Sequence, residues 1–423
     1  MAKIGIVGTG YVGLVSAVCF AKLGHQVTGI DLDEAKISKL LVGQSTIYEE
    51  GLSKLLKEGL KSKALTFSTS IETLSESEFV FLCVPTPQDQ DGSADLSYVL
   101  KVTSDLKEIL AEDTCLVTKS TVPVKSWKQI AETLMRDDVH IVSNPEFLRE
   151  GTAIADFFNP DRIVTGCVNI EKAEAVAKLY KLPLVETLLT DNTTAELIKY
   201  ASNSFLALKL SFVNDIAALC EKVEADPLEV LRGMGLDKRI GDRFTTPGPG
   251  WGGSCFPKDV RALMMTSEAA AVPMPLLSAA WESNERAHRR FVELASDSIG
   301  GSLVGKKIAV WGLAFKAFTD DVRESPSLAI IDRLQGRGAE VIAYDPEVKS
   351  IIHNPNIKIV NNIFETVKEA ELILVLTEWP EFSLIDPEEM AKVSSTKKII
   401  DTRGVLSKQK WKNAGFDIWG VKS

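Results

Sequence analysis

The chain has 423 residues, 45% of them hydrophobic and 25% charged, with a formal net charge of −10. That length exceeds what one hydrophobic core normally serves, so two or three domains are expected. The charge comes from both signs, with no basic run and no interleaving of basic and aromatic residues, which excludes the electrostatic footprint of a nucleic-acid binder. Six cysteines without a CxxC pair and four scattered histidines exclude structural zinc and a disulfide framework, so no metal is expected and the thiols fit a reducing cytoplasm.

From the amino terminus, residues 4–21 (IGIVGTGYVGLVSAVCFA) carry no charge and follow Lys3, superficially like a signal-peptide core. Their clustered glycines make a poor membrane helix, and no membrane association is expected. KIGIVG reads instead as a strand, GTGYVG supplies G-x-G-x-x-G, and LVSAVCFAKLG continues as a helix ending at Gly24, after which HQVTGID returns as a strand. Gly8 allows the turn, Gly10 admits a pyrophosphate to the backbone, and Gly13 permits close helix packing. Asp31, 18 residues after Gly13, suits a ribose 2′-hydroxyl and repels a 2′-phosphate, so NAD is expected rather than NADP.

The apolar runs EFVFLCVPTP (78–87), CLVTKSTVP (115–123) and VHIVSNPEFLREG (139–151) extend the sheet. Each ends in polar or proline-containing residues, where ligands meet an open parallel sheet, which makes Thr86, Thr121 and Glu146 candidates by position. Plain turn capping explains any one of them equally well.

Residues 191–223 contain neither glycine nor proline and read as one helix roughly 50 Å long at ~1.5 Å per residue, a natural dimer seam. Lys199 and Asn203 are one turn apart on it, and the surrounding apolar and small residues would strip water from the ammonium. In GPGWGGSCFPKD (248–259) Cys255 could be a packing residue, a metal ligand or a nucleophile. The other cysteines, Cys19, Cys83, Cys115, Cys167 and Cys220, fall in helical or strand-like runs and read as small buried hydrophobes. Only Cys255 stands in a loop, beside glycines, Lys258 and Asp259, a setting that favours thiolate and a nucleophile over packing. A cysteine nucleophile combined with NAD suggests attack on an aldehyde, hydride loss to a thioester, and hydrolysis to an acid.

Near residue 301 a second α/β pattern begins: KKIAVWGLAFK, then a helix capped by Ser325 with Pro326 at its first position, then AEVIAYDP. The layout of residues 3–31 recurs at 307–345, and IKIV (357–360), ELILVLTEW (371–379) and KKIIDTRG (397–404) complete it. It lacks a full GxGxxG, so a second dinucleotide site is not expected, although a nucleotide-shaped ligand remains open. The expected architecture is α/β: a Rossmann-like doubly wound parallel-sheet domain (1–190), a central helical dimerisation domain carrying the long helix and the cysteine loop (191–300), and a second Rossmann-like domain (301–423).

GTGYVGLVSAVCFA, CVPTP, KSTVP, NPEFLREG with PDRIV, IKYASNSFLA, GMGLDKRIG, GPGWGGSCFPKD, WGLAFK with DDVRESPS, and TEWPEF follow one another in the order found in the UDP-glucose/GDP-mannose dehydrogenase family, which the sequence resembles from residue 5 to about 404. The resemblance implies oxidation of a sugar C6 alcohol to a carboxylate with two NAD molecules in succession, UDP-glucose giving UDP-glucuronate. It implies that Cys255 holds the thiohemiacetal and thioester, that Lys199, Asn203 and Asp259 surround the reacting oxygen, and that Glu146 with Thr121 serves the hydrolytic water. For the cofactor it implies Gly8, Gly10, Tyr11, Val12, Gly13, Asp31, Lys36, Thr86, Thr121, Glu150, Lys258 and Arg323. For the nucleotide sugar it implies Glu146, Phe147, Leu148, Arg149, Glu150, Lys199 and Asn203, then Phe244, Thr245, Thr246, Pro247, Gly248, Gly252, Lys316 and Arg403. Arg239 would reach the substrate of a neighbouring subunit, implying a homodimer or higher even oligomer. Trp251 stands where a smaller aromatic is common in the family and would alter the fit around the sugar. The alternatives are the same chemistry on GDP-mannose or a UDP-N-acetylhexosamine, a two-electron hydroxyacid-type dehydrogenase that needs no Cys255, and a non-catalytic NAD sensor.

Overall fold

In a computed structural model, described at residues 1–89, 92 and 94–420, the chain forms two compact units. One comprises residues 1–202 with 261–271, the other 203–260 with 272–423. The end of the expected third domain, residues 421–423, lies outside the described residues.

The first unit is built on β1 (Lys3–Val7), β2 (Gln26–Ile30), β3 (Leu65–Ser68), β4 (Phe79–Leu82), β5 (Cys115–Thr118), β6 (His140–Ser143), β7 (Ile163–Gly166) and β8 (Thr187–Thr190). Their spatial order is β3-β2-β1-β4-β5-β6-β7-β8, parallel throughout except where Ser143 meets Gly166 between β6 and β7. Helices cover both faces, so β5 and β7 are buried along their whole length, which is why such strands read as unbroken apolar runs. Alternation still assigns the faces: Phe81 packs with Phe20, Phe157 and Tyr180 on one side, while Val80 and Leu82 join Val99 and Ile130 on the other.

The second unit repeats this plan with β9 (Lys307–Trp311), β10 (Glu340–Tyr344), β11 (Lys358–Ile359), β12 (Leu372–Val375), β13 (Lys398–Asp401) and β14 (Asp417–Gly420) in the order β11-β10-β9-β12-β13-β14. Ile308, Val310, Leu372 and Leu374 face one core, and Ala309, Trp311, Ile373 and Val375 the other. In both sheets the strand order reverses beside the first strand, β1 or β9, and opens a crevice at the carboxyl ends.

The long helix runs from Asn192 to Lys222 as the sequence leads one to expect, about 46 Å at 1.5 Å per residue. Asp191 starts it by accepting bonds from the Thr194 N–H and hydroxyl at 2.9 and 2.6 Å. Past its last turn Glu224 sits in the left-handed region at φ 58°, and the Ala225 N–H bonds the Cys220 carbonyl at 2.9 Å.

Candidate active site

The amino-terminal turn follows from sterics. Gly8 has φ 93°, and a Cβ there would lie 2.7 Å from the Cys83 carbonyl oxygen; at Gly13 a Cβ would lie 1.8 Å from the Gly8 oxygen. At Gly10 a Cβ would meet no heavy atom within 4 Å, and the helix Tyr11–Lys22 that starts there has no side-chain cap. Gly8 and Gly13 are thus demanded by packing, and Gly10 offers open space with uncapped N–H groups to an anion.

Asp31, at the carboxyl end of β2, accepts the Thr9 N–H and hydroxyl at 3.0 and 2.8 Å and the Lys36 ammonium at 2.9 Å. Burial works to raise its pKa, but these donors outweigh it and hold the carboxyl below its ordinary value, so it is present as the anion. Lys36 therefore braces the acid.

Tyr11 donates its hydroxyl to the buried carboxylate of Glu49, and the Gly151 N–H bonds both at 2.8 Å. Burial and this carboxylate push the Tyr11 hydroxyl well above its usual pKa. The contact ties the start of the dinucleotide-binding helix to the end of the NPEFLREG loop, directly after Glu150. Sequence reasoning missed Glu49, since its partner lies about a hundred residues away with no local pattern to announce it.

Deeper in the first unit Glu146 is buried and accepts Lys199 Nζ on Oε1 at 2.9 Å and the Leu148 N–H on Oε2 at 2.6 Å. Lys199 is buried too, over the Phe147 ring at 5.3 Å, so the expected desolvation is accompanied by a carboxylate partner that the helix pattern did not reveal. Thr121, Ser120, Ser143 and Lys199 line one small cavity, and Thr86 donates to the Thr121 carbonyl at 2.9 Å. Glu196 lines it as well, one turn before Lys199. It accepts the Lys125 and Trp127 N–H groups at 2.6 and 3.0 Å, and burial, opposed by those bonds, pushes its pKa up to about 7.

In the second unit Asn203 donates to Asp259 Oδ2 at 2.6 Å and Lys258 to Oδ1 at 2.7 Å, and the carboxylate is fully buried. Lys258 thus pairs with Asp259, and Cys255 stands directly before the helix that begins at Phe256, whose amino terminus presents positive dipole. The Cys255 carbonyl accepts the Asp259 N–H at 2.9 Å, and the Ser254 hydroxyl lies 3.6 Å from the thiol sulfur. Cys255 is the only cysteine that is not buried; burial pushes the Cys83 and Cys115 thiols up to about 12.

The glycines before Cys255 serve the protein's own close packing. A Cβ at Gly252 would stand 2.0 Å from the Glu324 carbonyl, one at Gly253 2.8 Å from the Phe315 ring, and one at Gly248 2.8 Å from the Arg403 guanidinium. Arg403 is thereby placed beside Gly248 and bonds the Leu376 and Phe315 carbonyls at 3.1 and 3.3 Å. Lys316 lies over Phe315 at 5.5 Å. Trp251 is buried, its N–H and carbonyl pair with the Asn284 amide at 2.8 and 3.0 Å, and its indole donates to Ser211 at 2.9 Å. These bonds anchor the loop to the helical scaffold. Arg149, Arg239 and Arg323 are exposed and paired with Asp156, Asp237 and Asp321, so the structure leaves them at the surface.

The second sheet's glycine turn is built differently. Gly312 has φ 96°, but the acid at the end of β10, Asp345, is fully buried and accepts Leu313, Ala314, Glu347 and Val348 N–H groups and the Trp379 indole between 2.7 and 3.2 Å. Its oxygens are consumed inside the protein, whereas Asp31 keeps part of its surface.

One nucleotide-type fold with an open turn and an ionised acid, followed by a second whose acid is used internally, is the build of an NAD-dependent oxidoreductase. The chain belongs to the UDP-glucose/GDP-mannose dehydrogenase family: residues 2–183 match its NAD binding domain, 193–286 its central domain and 309–408 its UDP binding domain. It is 42% identical to the UDP-glucose 6-dehydrogenase of Rhizobium meliloti (strain 1021), over 98% of each chain. It is 40% identical to UDP-glucose 6-dehydrogenase TuaD of Bacillus subtilis (strain 168), over 98% of this chain and 92% of the relative. Among solved structures, a UDP-glucose dehydrogenase from Pyrobaculum islandicum superposes with a TM-score of 0.90 at 35% identity, covering 100% of this chain and 98% of the other. A UDP-D-ManNAc dehydrogenase from Pyrococcus horikoshii does so at 0.89 and 28%, covering 99% of each.

Proposed function

We propose that the protein oxidises UDP-glucose to UDP-glucuronate, reducing two NAD per sugar. The observation that carries the proposal is the half-buried Cys255 thiol at a helix amino terminus, with the buried Asn203–Asp259 pair joining that helix to the long helix. The relatives that match at about 40% over nearly their whole length bear the name of that activity.

NAD, the hydride acceptor, would be held by the turn of Gly8, Gly10, Tyr11, Val12 and Gly13, by Asp31 braced by Lys36, and by Thr86, Thr121, Glu150, Lys258 and Arg323; the open face of Gly10 and the ionised Asp31 fit it. The C6 alcohol would lose its proton toward Asp259 through a water and its hydride to the first NAD, which gives the aldehyde, while Lys199 and Asn203 steady the negative charge on oxygen. The Cys255 thiolate then adds to the aldehyde carbon, and loss of a second hydride converts the thiohemiacetal to a thioester. Glu146, with Thr121, takes a proton from the attacking water, and the C–S bond breaks to release the acid and the thiol. Glu146 is equipped for this by position, since the Lys199 ammonium holds Oε1 and keeps the carboxylate in place.

Phe147, Leu148, Arg149, Glu150, Phe244, Thr245, Thr246, Pro247, Gly248, Gly252, Lys316 and Arg403 would contact the sugar nucleotide. Arg239 would act on the partner subunit's substrate, its side chain being 89% exposed. A homodimer is supported by Phe205, Phe212 and Leu219, at seven-residue spacing on the long helix and 64, 53 and 56% exposed. The domain assignment is an NAD domain at 1–190, a helical dimerisation domain at 191–300 and a UDP-sugar domain from 301. Six free thiols suit a reducing cytoplasm, and among the described residues no helix is long and apolar enough to cross a membrane.

The test is NADH formed per UDP-glucose consumed, with limiting sugar and excess NAD. A ratio near two with UDP-glucuronate as product is expected, and Cys255→Ala should abolish acid formation. Acid formation by that variant at the parent rate would sink the cysteine mechanism. Turnover of GDP-mannose or a UDP-N-acetylhexosamine in preference to UDP-glucose would move the assignment within the family.

A further inference from the structure

Lys209 lies on the long helix beyond Asn203, and neither the sequence motifs nor the chemistry above uses it. Its ammonium donates to the carbonyls of Ile240, Gly241 and Arg243 at 2.9, 3.2 and 2.7 Å. An ammonium has three protons, and all three are directed at one short stretch of backbone. Lys209 makes no ion pair among the described residues, so its charge is compensated by carbonyl dipoles alone.

That stretch turns on itself: Asp237 O accepts the Ile240 and Gly241 N–H groups at 2.9 and 2.8 Å, and Gly241 has φ 73°. It carries Arg239 and runs into Phe244, a non-glycine residue held in the left-handed region at φ 59°. Such a backbone persists only where its surroundings determine it, and the Lys209 bond to the Arg243 carbonyl fixes the peptide just before it. The Phe244 ring then lies 6.3 Å from that of Phe256, the residue after Cys255. Five residues further along the long helix, Asn214 accepts the Gly248 N–H at 2.8 Å and secures the other end of the segment.

We infer that Lys209 is a positioning residue for the nucleotide sugar: through three backbone carbonyls it holds the segment from Arg239 to Phe244 in the form that meets the substrate. The inference rests on the proposed function for the identity of the ligand, and on the hydrogen bonds for the clamp. Without the ammonium the segment loses its common donor and Phe244 relaxes out of its left-handed backbone.

The experiment compares the full-length protein with Lys209→Met, which keeps the length of the apolar stem and removes the ammonium, and Lys209→Arg, whose guanidinium can still donate to carbonyls. Lys209→Met should raise KM for UDP-glucose about tenfold or more while KM for NAD stays within about twofold, and Lys209→Arg should recover most of the loss. Trypsin should also cleave after Arg239 and Arg243 at least about tenfold faster in Lys209→Met, read by mass spectrometry without any ligand. An unchanged KM for the sugar with unchanged cleavage overturns the inference, as does a rise in both KM values together. If the unaltered protein turns over no nucleotide sugar, the proposed function fails, and the cleavage rates alone then decide the clamp.

Discussion

Glu196 shows how much a single residue's surroundings can matter. Its carboxyl is raised to about 7 by burial, against an ordinary value of 4.5. Between those values the folded protein keeps a proton that the unfolded chain releases, so the group's contribution to stability is full below about pH 4.5 and lost as pH rises through about 7. The swing is on the order of 3 kcal/mol. Glu196→Gln, which cannot ionise, should therefore gain thermal stability relative to the parent as pH goes from 5 to 8, measured by thermal melts across that range. A constant difference between the two proteins would mean that Glu196 does not titrate there. Sequence reasoning did not single out this residue: it lies three before Lys199 and so on the same face of the helix, but its partners are backbone N–H groups of a loop some seventy residues away. Glu49 was equally hidden. Cys255 was the opposite case: its loop setting separated it from the five cysteines in regular elements, and the structure buries those five and not this one.

Among elements, the two glycine turns share a strand order and differ in purpose. Gly10→Ala puts a methyl into open space, so folding should cost no more than about 1 kcal/mol while KM for NAD rises about tenfold or more. Gly312→Ala drives a Cβ to 2.4 Å from Thr377 at φ 96°, so it should destabilise the protein by several kcal/mol. Chemical denaturation of both variants beside NAD kinetics checks the pair; a Gly10→Ala protein that binds NAD normally would contradict the pyrophosphate role. The sheets themselves were legible because parallel strands buried on both faces must be apolar along their length, and the long helix because nothing in residues 192–222 interrupts it. The partners of Trp251 were not legible, since its position in the loop motif says nothing of Asn284 and Ser211, which hold it in the scaffold.

For the whole molecule, the exposed stripe of Phe205, Phe212 and Leu219 leads to an association prediction. Phe205→Asp combined with Phe212→Asp should shift the protein from dimer to monomer in analytical ultracentrifugation and lower activity at least about tenfold, because Arg239 would lose its partner active site. A double variant that remains dimeric would place the interface elsewhere.

The sequence by itself determined the class of fold, the repeat of one α/β plan, NAD as the cofactor to expect, and the singular standing of Cys255. All of these follow from local rules: periodicity, the steric need for glycine, and spacing along a helix or strand. Only the tertiary structure decided which acids are spent inside the protein and which stay available. Asp31 and Asp345 end equivalent strands, but Asp345 is surrounded by five donors and Asp31 keeps an open side. Likewise it alone joined Glu146 to Lys199, Asp259 to Asn203 and Lys209 to its three carbonyls. The reason is that a buried polar group must find its partner wherever the fold brings one, and that distance along the chain leaves no trace in the local pattern.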